Sequence, residues 1–204
     1  MLEAYRQHTA DRAALGIPPL PLDAEQTSAL CELLQHPPAG EEANLIALLR
    51  DRVPPGVDPA AYVKAGFLTS IVTGKITSPL INQIESIELL GTMLGGYNVR
   101  SLIDLLQSDN PELATAAVKA LSKIVLVYDA FNDVWELSQT NGSASLTASP
   151  YAERVIDAWA NAEWFTSRPT LPETITVTVF KVPGETNTDD LSPATEATSR
   201  PDIP

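Results

Sequence analysis

The sequence predicts a mainly α protein, an α-superhelical array of antiparallel helices followed by one β-strand and an irregular tail. Three observations predict it. From Leu2 to about Phe165 apolar residues recur at three- and four-residue spacing. Prolines and capping residues punctuate that stretch at short intervals. After Arg168-Pro169 the apolar period switches to two. A chain of 204 residues can bury one substantial core and add a small second unit. The expected boundaries are a helical domain over 1–166 and the start of a second domain over 167–204.

The helical elements announce themselves by their starts. Asp23 with Gln26 three residues on has the form of a capping box. Asp58-Pro59 and Asn110-Pro111 each offer a side-chain acceptor at the cap and a proline in the first turn, where its missing N–H costs nothing. Leu80, Ile84, Ile87, Gly91 and Leu94 form one stripe, Leu102, Ile103 and Leu106 a shorter one, and Gly95-Gly96-Tyr97-Asn98 turns the chain between them. Beyond Asn110 the stripe is Leu113, Ala117, Ala120, Leu121, Ile124 and Tyr128, with Lys119 and Lys123 on the watered side. The stretch from Asn98 to Val125, two amphipathic helices around a Ser-Asp-Asn-Pro corner, has the form of one HEAT-type repeat unit, an irregular bundle being the alternative. Thr140 to Pro150 is small, polar and aperiodic, a surface loop. A helix from Tyr151 to Phe165 follows, with Val155, Ala158, Trp159, Ala162 and Phe165 on one side.

Thr174 to Phe180 alternates threonine with aliphatics, the pattern of a half-buried strand, and Pro183-Gly184 ends it. A single strand leaves its backbone donors and acceptors without partners. The sheet is therefore expected to be completed by polypeptide beyond Pro204.

Composition excludes several classes. The net charge is −13, from 26 acidic and 13 basic side chains, so the overall field repels nucleic acid and anionic lipid, and neither RNA nor a membrane is an expected partner. One cysteine, Cys31, permits no intrachain disulfide and no zinc or iron–sulfur cluster. No apolar run approaches bilayer length and the start is too polar for a secretory signal, so a cytoplasmic location is expected.

In the helical part the usual catalytic arrangements are missing. His8 and His36 are far apart and read as surface or capping histidines. Cys31, in an apolar helix without a neighbouring cation in sequence, reads as a packing thiol. Trp135, Trp159 and Trp164 read as core or interface aromatics rather than a ligand cage, and Gly95-Gly96 lacks the strand and lysine of a phosphate loop. The tail is chemically richer. Asp189, Asp190 and Ser192 follow the strand, and Arg200 lies in Ser-Arg-Pro-Asp. Such residues can form a substrate-contacting loop at a strand end, or an Asx turn with Arg200 paired to a local acid.

Several stretches carry a resemblance: MLEAYRQHTADRAALGI, PPAGEEANLIALLRDRVPPGVDPAAYVKAGFL, IELLGTMLGGYNV, WANAEWFTSRP and TVTVFKVPGETNTDDLSPATEATSRPDIP. In these the chain resembles the amino-terminal part of the bacterial aconitate hydratase B family, bifunctional aconitases and 2-methylisocitrate dehydratases. The resemblance implies a HEAT-like first domain concerned with dimerisation and partner contacts, and the truncated start of a swivel domain over the active site. It implies interconversion of citrate and isocitrate through cis-aconitate, and hydration of 2-methyl-cis-aconitate. A four-iron, four-sulfur cluster held by three cysteines of a later region would act as Lewis acid on the departing hydroxyl; none of those cysteines, nor the catalytic serine, has a counterpart here. By resemblance Arg200 is the substrate-binding arginine, whose planar fork suits a carboxylate, and Asp189 the acid presented into the cleft. The segment from Asn141 to Ser149 is longer than the family's usual loop. The chain alone is expected to be inactive and to bind no cluster, and a stand-alone, non-enzymatic helical interaction module is the alternative reading.

Overall fold

The computed structural model describes residues 1–124, 127–139, 148–179, 181 and 184. It is mainly helical, as expected: α1 (Leu2–Ala14), α2 (Ala24–Gln35), α3 (Glu42–Asp51), α4 (Pro59–Val72), α5 (Gln83–Leu90), α6 (Val99–Asp104), α7 (Pro111–Leu121), α8 (Ala130–Ser138), α9 (Pro150–Ala160) and α10 (Glu163–Thr166), with a 3-10 turn at Leu105–Gln107. The stacking order is α2 on α4, α4 on α5, α5 on α7 and α7 on α9, while α3, α6 and α8 flank α2, α7 and α9 respectively. Consecutive elements thus cover one another's apolar faces in a HEAT-like array.

At the centre, α4 (PAAYVKAGFLTSIV) is apolar on nearly every side and is accordingly buried along its length, through Ala61, Ala65, Leu68, Ile71 and Val72. Leu30 and Leu34 of α2 and Ile87 and Leu90 of α5 meet it from either side in one continuous core. In α7 the expected face is buried from Leu113 to Leu121, and Lys119 and Lys123 are exposed.

The starts follow their caps with one exception. Asp23 and Gln26 form a complete capping box, as do Asn82 and Glu85, and Asn110 accepts from the Glu112 N–H at 2.9 Å. Asp58 makes no cap hydrogen bond, and Pro59 alone favours the first turn of α4.

Four expectations change at element ends. The stripe through Leu94 overruns α5, which stops at Leu90, so Leu94 is exposed at the turn. The stripe through Tyr128 overruns α7 likewise; Tyr128 sits at φ +44° and is exposed. The helix from Tyr151 breaks at Ala162, φ +51°, into α9 and α10, and Phe165 is thereby turned to solvent. The end of the loop expected over 140–150, of which 140–147 lie outside the described residues, shifts by one because Pro150 opens α9 and Ser149 caps it: its Oγ accepts the Ala152 N–H at 3.3 Å and donates to the Leu106 carbonyl at 2.7 Å, and its N–H donates to the Leu137 carbonyl at 2.8 Å.

The period-two segment forms no strand among the described residues. Ile175, Val177 and Val179 are exposed, since an extended segment becomes a half-buried strand only where a second one pairs with it. No helix among the described residues is long and apolar enough to cross a membrane.

Candidate functional site

Arg200 and Asp189, with Asp190 and Ser192, lie outside the described residues. What the structure places are the groups of the helical stack, and most of these have structural duties. His8 accepts the Leu20 N–H at Nε2, 3.0 Å, and lies against the Tyr5 ring, which explains a histidine on α1 without any ligand. His36 ends α2 and is exposed. Cys31 is buried between α2 and α4, and burial pushes its thiol up to about 12 from 9.0, so it is an inert packing group. No cluster of three or more metal-ligating His, Cys, Asp or Glu side chains occurs among the described residues.

Two groups carry electrostatic weight that the sequence reading missed. Lys64 is buried within α4, and desolvation lowers its ammonium to about 8 from 10.5, opposed by the negative charge of Asp51. The signal was present: a lone lysine in a helix apolar all round cannot reach water without leaving the stack. Arg52 closes the α1–α3 end. Its Nε donates to the Tyr5 hydroxyl at 2.9 Å and its Nη2 to the Pro19 and Leu20 carbonyls, the latter at 3.1 Å, while the Tyr5 hydroxyl donates to the Leu20 carbonyl at 2.8 Å. The 18–22 connection is thereby fixed between two helices. A cavity of about 440 Å³ beside it is walled by Leu2, Tyr5, Ala10 and Leu48, with Arg6 and Arg52. Arg6 is committed to Glu41, and this hydrogen bond holds the Glu41 carboxyl below its ordinary range.

The tryptophans divide. Trp159 of α9 is half-buried and its Nε1–H donates to the Leu121 carbonyl at 2.9 Å, tying α9 to α7. Its ring stacks on Phe131 of α8 with centroids 5.9 Å apart, and Phe131 stacks on Trp135 at 6.4 Å with an interplanar angle of 13°. Trp135 is exposed, so the three rings form a shelf open to solvent rather than a closed core. Trp164 leans on Phe165 at 5.8 Å beyond it. The structure thus brings Trp135 and Trp159 together through Phe131, a residue the sequence reading had not singled out.

The chain matches the family described as Aconitate B N-terminal domain over residues 4–165, and that described as Aconitate hydratase 2 N-terminus over residues 177–204. It is similar to aconitate hydratase B of Synechocystis sp., with 65% identity over 204 residues, covering 100% of this chain and 23% of that protein. The Escherichia coli aconitate hydratase B is 59% identical and that of Pseudomonas aeruginosa 57%, each match covering 100% of this chain and 22% of the relative. The chain therefore spans less than a quarter of the length of the curated relatives it matches. A helical stack whose limits coincide with the first match, and sequence similarity that runs unbroken through the tail, lead to one assignment: this chain belongs to the Aconitate B N-terminal domain family.

Proposed function

We propose that the chain is the amino-terminal part of a cytoplasmic aconitate hydratase that interconverts citrate and isocitrate through cis-aconitate and also hydrates 2-methyl-cis-aconitate. The observation that carries this reading is similarity to relatives named aconitate hydratase B along the whole chain, at 65% identity in the Synechocystis protein. In this reading the helical domain, 1–166, serves contacts with other protein units, a homodimer among them. The start of the swivel domain, 167–204, forms one wall of the substrate cleft.

Arg200 holds a substrate carboxylate through two parallel N–H donors, and Asp189 lines the same wall. The four-iron, four-sulfur cluster of the family finds no ligand set here. The chain has one cysteine, and Cys31 is buried with its thiol pushed up to about 12. The role of these residues is accordingly to bind and orient carboxylates, the cluster being held by the remainder of the polypeptide.

The test is steady-state kinetics of the full-length enzyme. Arg200→Lys should raise KM and lower kcat, since a point charge cannot reproduce the planar fork. Unchanged kinetics would remove Arg200 from the site, and an unmodified enzyme without citrate turnover would remove the whole reading.

A further inference from the structure

α1 meets the stack through polar props more than through packing. Tyr5 is its single buried residue. The helix is held where the Tyr5 hydroxyl meets Arg52 and where Arg6 meets Glu41. Its other residues on that side include Thr9, Ala10 and Ala13, too small to fill the space between the props, and the cavity of about 440 Å³ remains against α3. That size falls within the roughly 300–1,000 Å³ of small-molecule pockets.

The walls are mostly hydrocarbon, from Leu2, the Tyr5 ring, Ala10, Ala13, Pro19 and Leu48. Most polar groups around them are already engaged. The Thr9 hydroxyl donates to the Tyr5 carbonyl at 2.9 Å, Asn44 donates to Glu41 at 3.0 Å, and Arg6 is neutralised by Glu41. Arg52 is the exception. Its Nε and Nη2 donate to neutral oxygens, those of the Tyr5 hydroxyl and the Pro19 and Leu20 carbonyls. Among the described residues its Nη1 makes no hydrogen bond and no carboxylate pairs with the guanidinium, whereas Arg6, Arg100 and Lys119 each have an acid. Acids outnumber bases 26 to 13 in the chain, yet none is placed beside this half-buried cation. A carboxylate is the group that would satisfy it best.

Charge and walls select the same occupant. One available cation balances one negative charge, so a tricarboxylate would leave its remaining charges against hydrocarbon. An apolar body bearing a single carboxylate meets both conditions. We infer that the α1–α3 cavity is a binding site for a small apolar monocarboxylate of the medium-chain fatty acid class, its carboxylate on the Arg52 guanidinium and its hydrocarbon against Tyr5, Ala10 and Leu48. None of these residues belongs to the proposed substrate wall, so the binding does not depend on that reading.

Isothermal titration calorimetry of decanoate into the full-length polypeptide, below the micellar concentration and with or without saturating citrate, tests this. One decanoate should bind per chain, with the same affinity in both conditions. Arg52→Gln keeps neutral donors and removes the charge, and should weaken binding by about tenfold or more. Ala10→Trp, at an exposed position of α1, fills the cavity with Arg52 intact and should abolish binding. Decanol, which lacks the charge, should bind more weakly than decanoate by about tenfold or more. Absence of decanoate binding would overturn the inference. So would an affinity unchanged in Ala10→Trp, decanol binding as tight as that of decanoate, or displacement of decanoate by citrate, which would place it in the substrate cleft.

Discussion

Gly91, at the end of α5, lies so close to Ala120 of α7 that a Cβ on Gly91 would fall 2.9 Å from the Ala120 Cβ and 3.2 Å from its Cα. The missing side chain is what lets these two helices approach. Gly91 has φ −65°, so the restriction is contact alone and not backbone conformation. Gly91→Ala should therefore destabilise by about 1–3 kcal/mol through overpacking, despite the entropy that alanine removes from the unfolded chain. Gly66 in α4 is the control: a Cβ there meets nothing within 4 Å, so Gly66→Ala should stabilise by up to about 1 kcal/mol. Paired urea titrations read both signs, and a neutral Gly91→Ala would mean that α5 and α7 are not in such close contact.

Lys64 gives stability a pH dependence of defined sign. Its folded ammonium releases its proton near 8, whereas the unfolded chain holds it to about 10.5. Between those values the unfolded state binds more protons, so stability rises with pH. Cys31, raised from 9.0 to about 12, acts oppositely, its contribution being complete below pH 9 and lost as pH climbs through 12. The unmodified protein should gain stability between pH 8 and 9 and level off above, while Cys31→Ala should go on gaining towards 10.5. Lys64→Met should remove the rise and stabilise at pH 7 by about 3 kcal/mol, the worth of the lysine's displaced ionisation. Denaturation midpoints across pH 7–10 check this, and a rise that persists in Lys64→Met would assign it elsewhere.

Arg52 binds α1 to the stack through the Tyr5 hydroxyl and the Pro19 and Leu20 carbonyls. Arg52→Met keeps much of the stem and removes the donors, and a loss of about 1.5–3 kcal/mol is expected for charge-assisted hydrogen bonds. Amide exchange should accelerate first in α1. Uniform acceleration throughout the stack would show that α1 and the core open together.

The caps separate by their hydrogen bonds. Asn110→Ala should cost about 1 kcal/mol because the Glu112 N–H loses its acceptor. Asp58→Ala removes no cap bond and should stay within about 0.5 kcal/mol. Thermal unfolding of the two variants side by side distinguishes them.

Much of the stack was legible because its signals are local. The capping pair at Asp23 and the buried face from Leu113 to Leu121 follow from short-range chemistry and helical period. Periodicity could not locate the ends of elements. Leu94, Tyr128 and Phe165 continue their stripes in sequence but sit past a turn in space, where a backbone break at Tyr128 or Ala162 redirects the chain. Nor could it identify Phe131, which gains significance only by lying between Trp135 and Trp159 from two different helices. The candidate substrate residues, Arg200 and Asp189, were legible through resemblance and not through any pattern of the stack.

The hydroxyl of Ser149, fastened to the Leu106 carbonyl while the amide of the same residue holds Leu137, makes the entrance to α9 a fixed post. Removal of the hydroxyl alone therefore leaves the helix start still held through its amide, so the junction of α8 and α9 keeps one of its two fastenings.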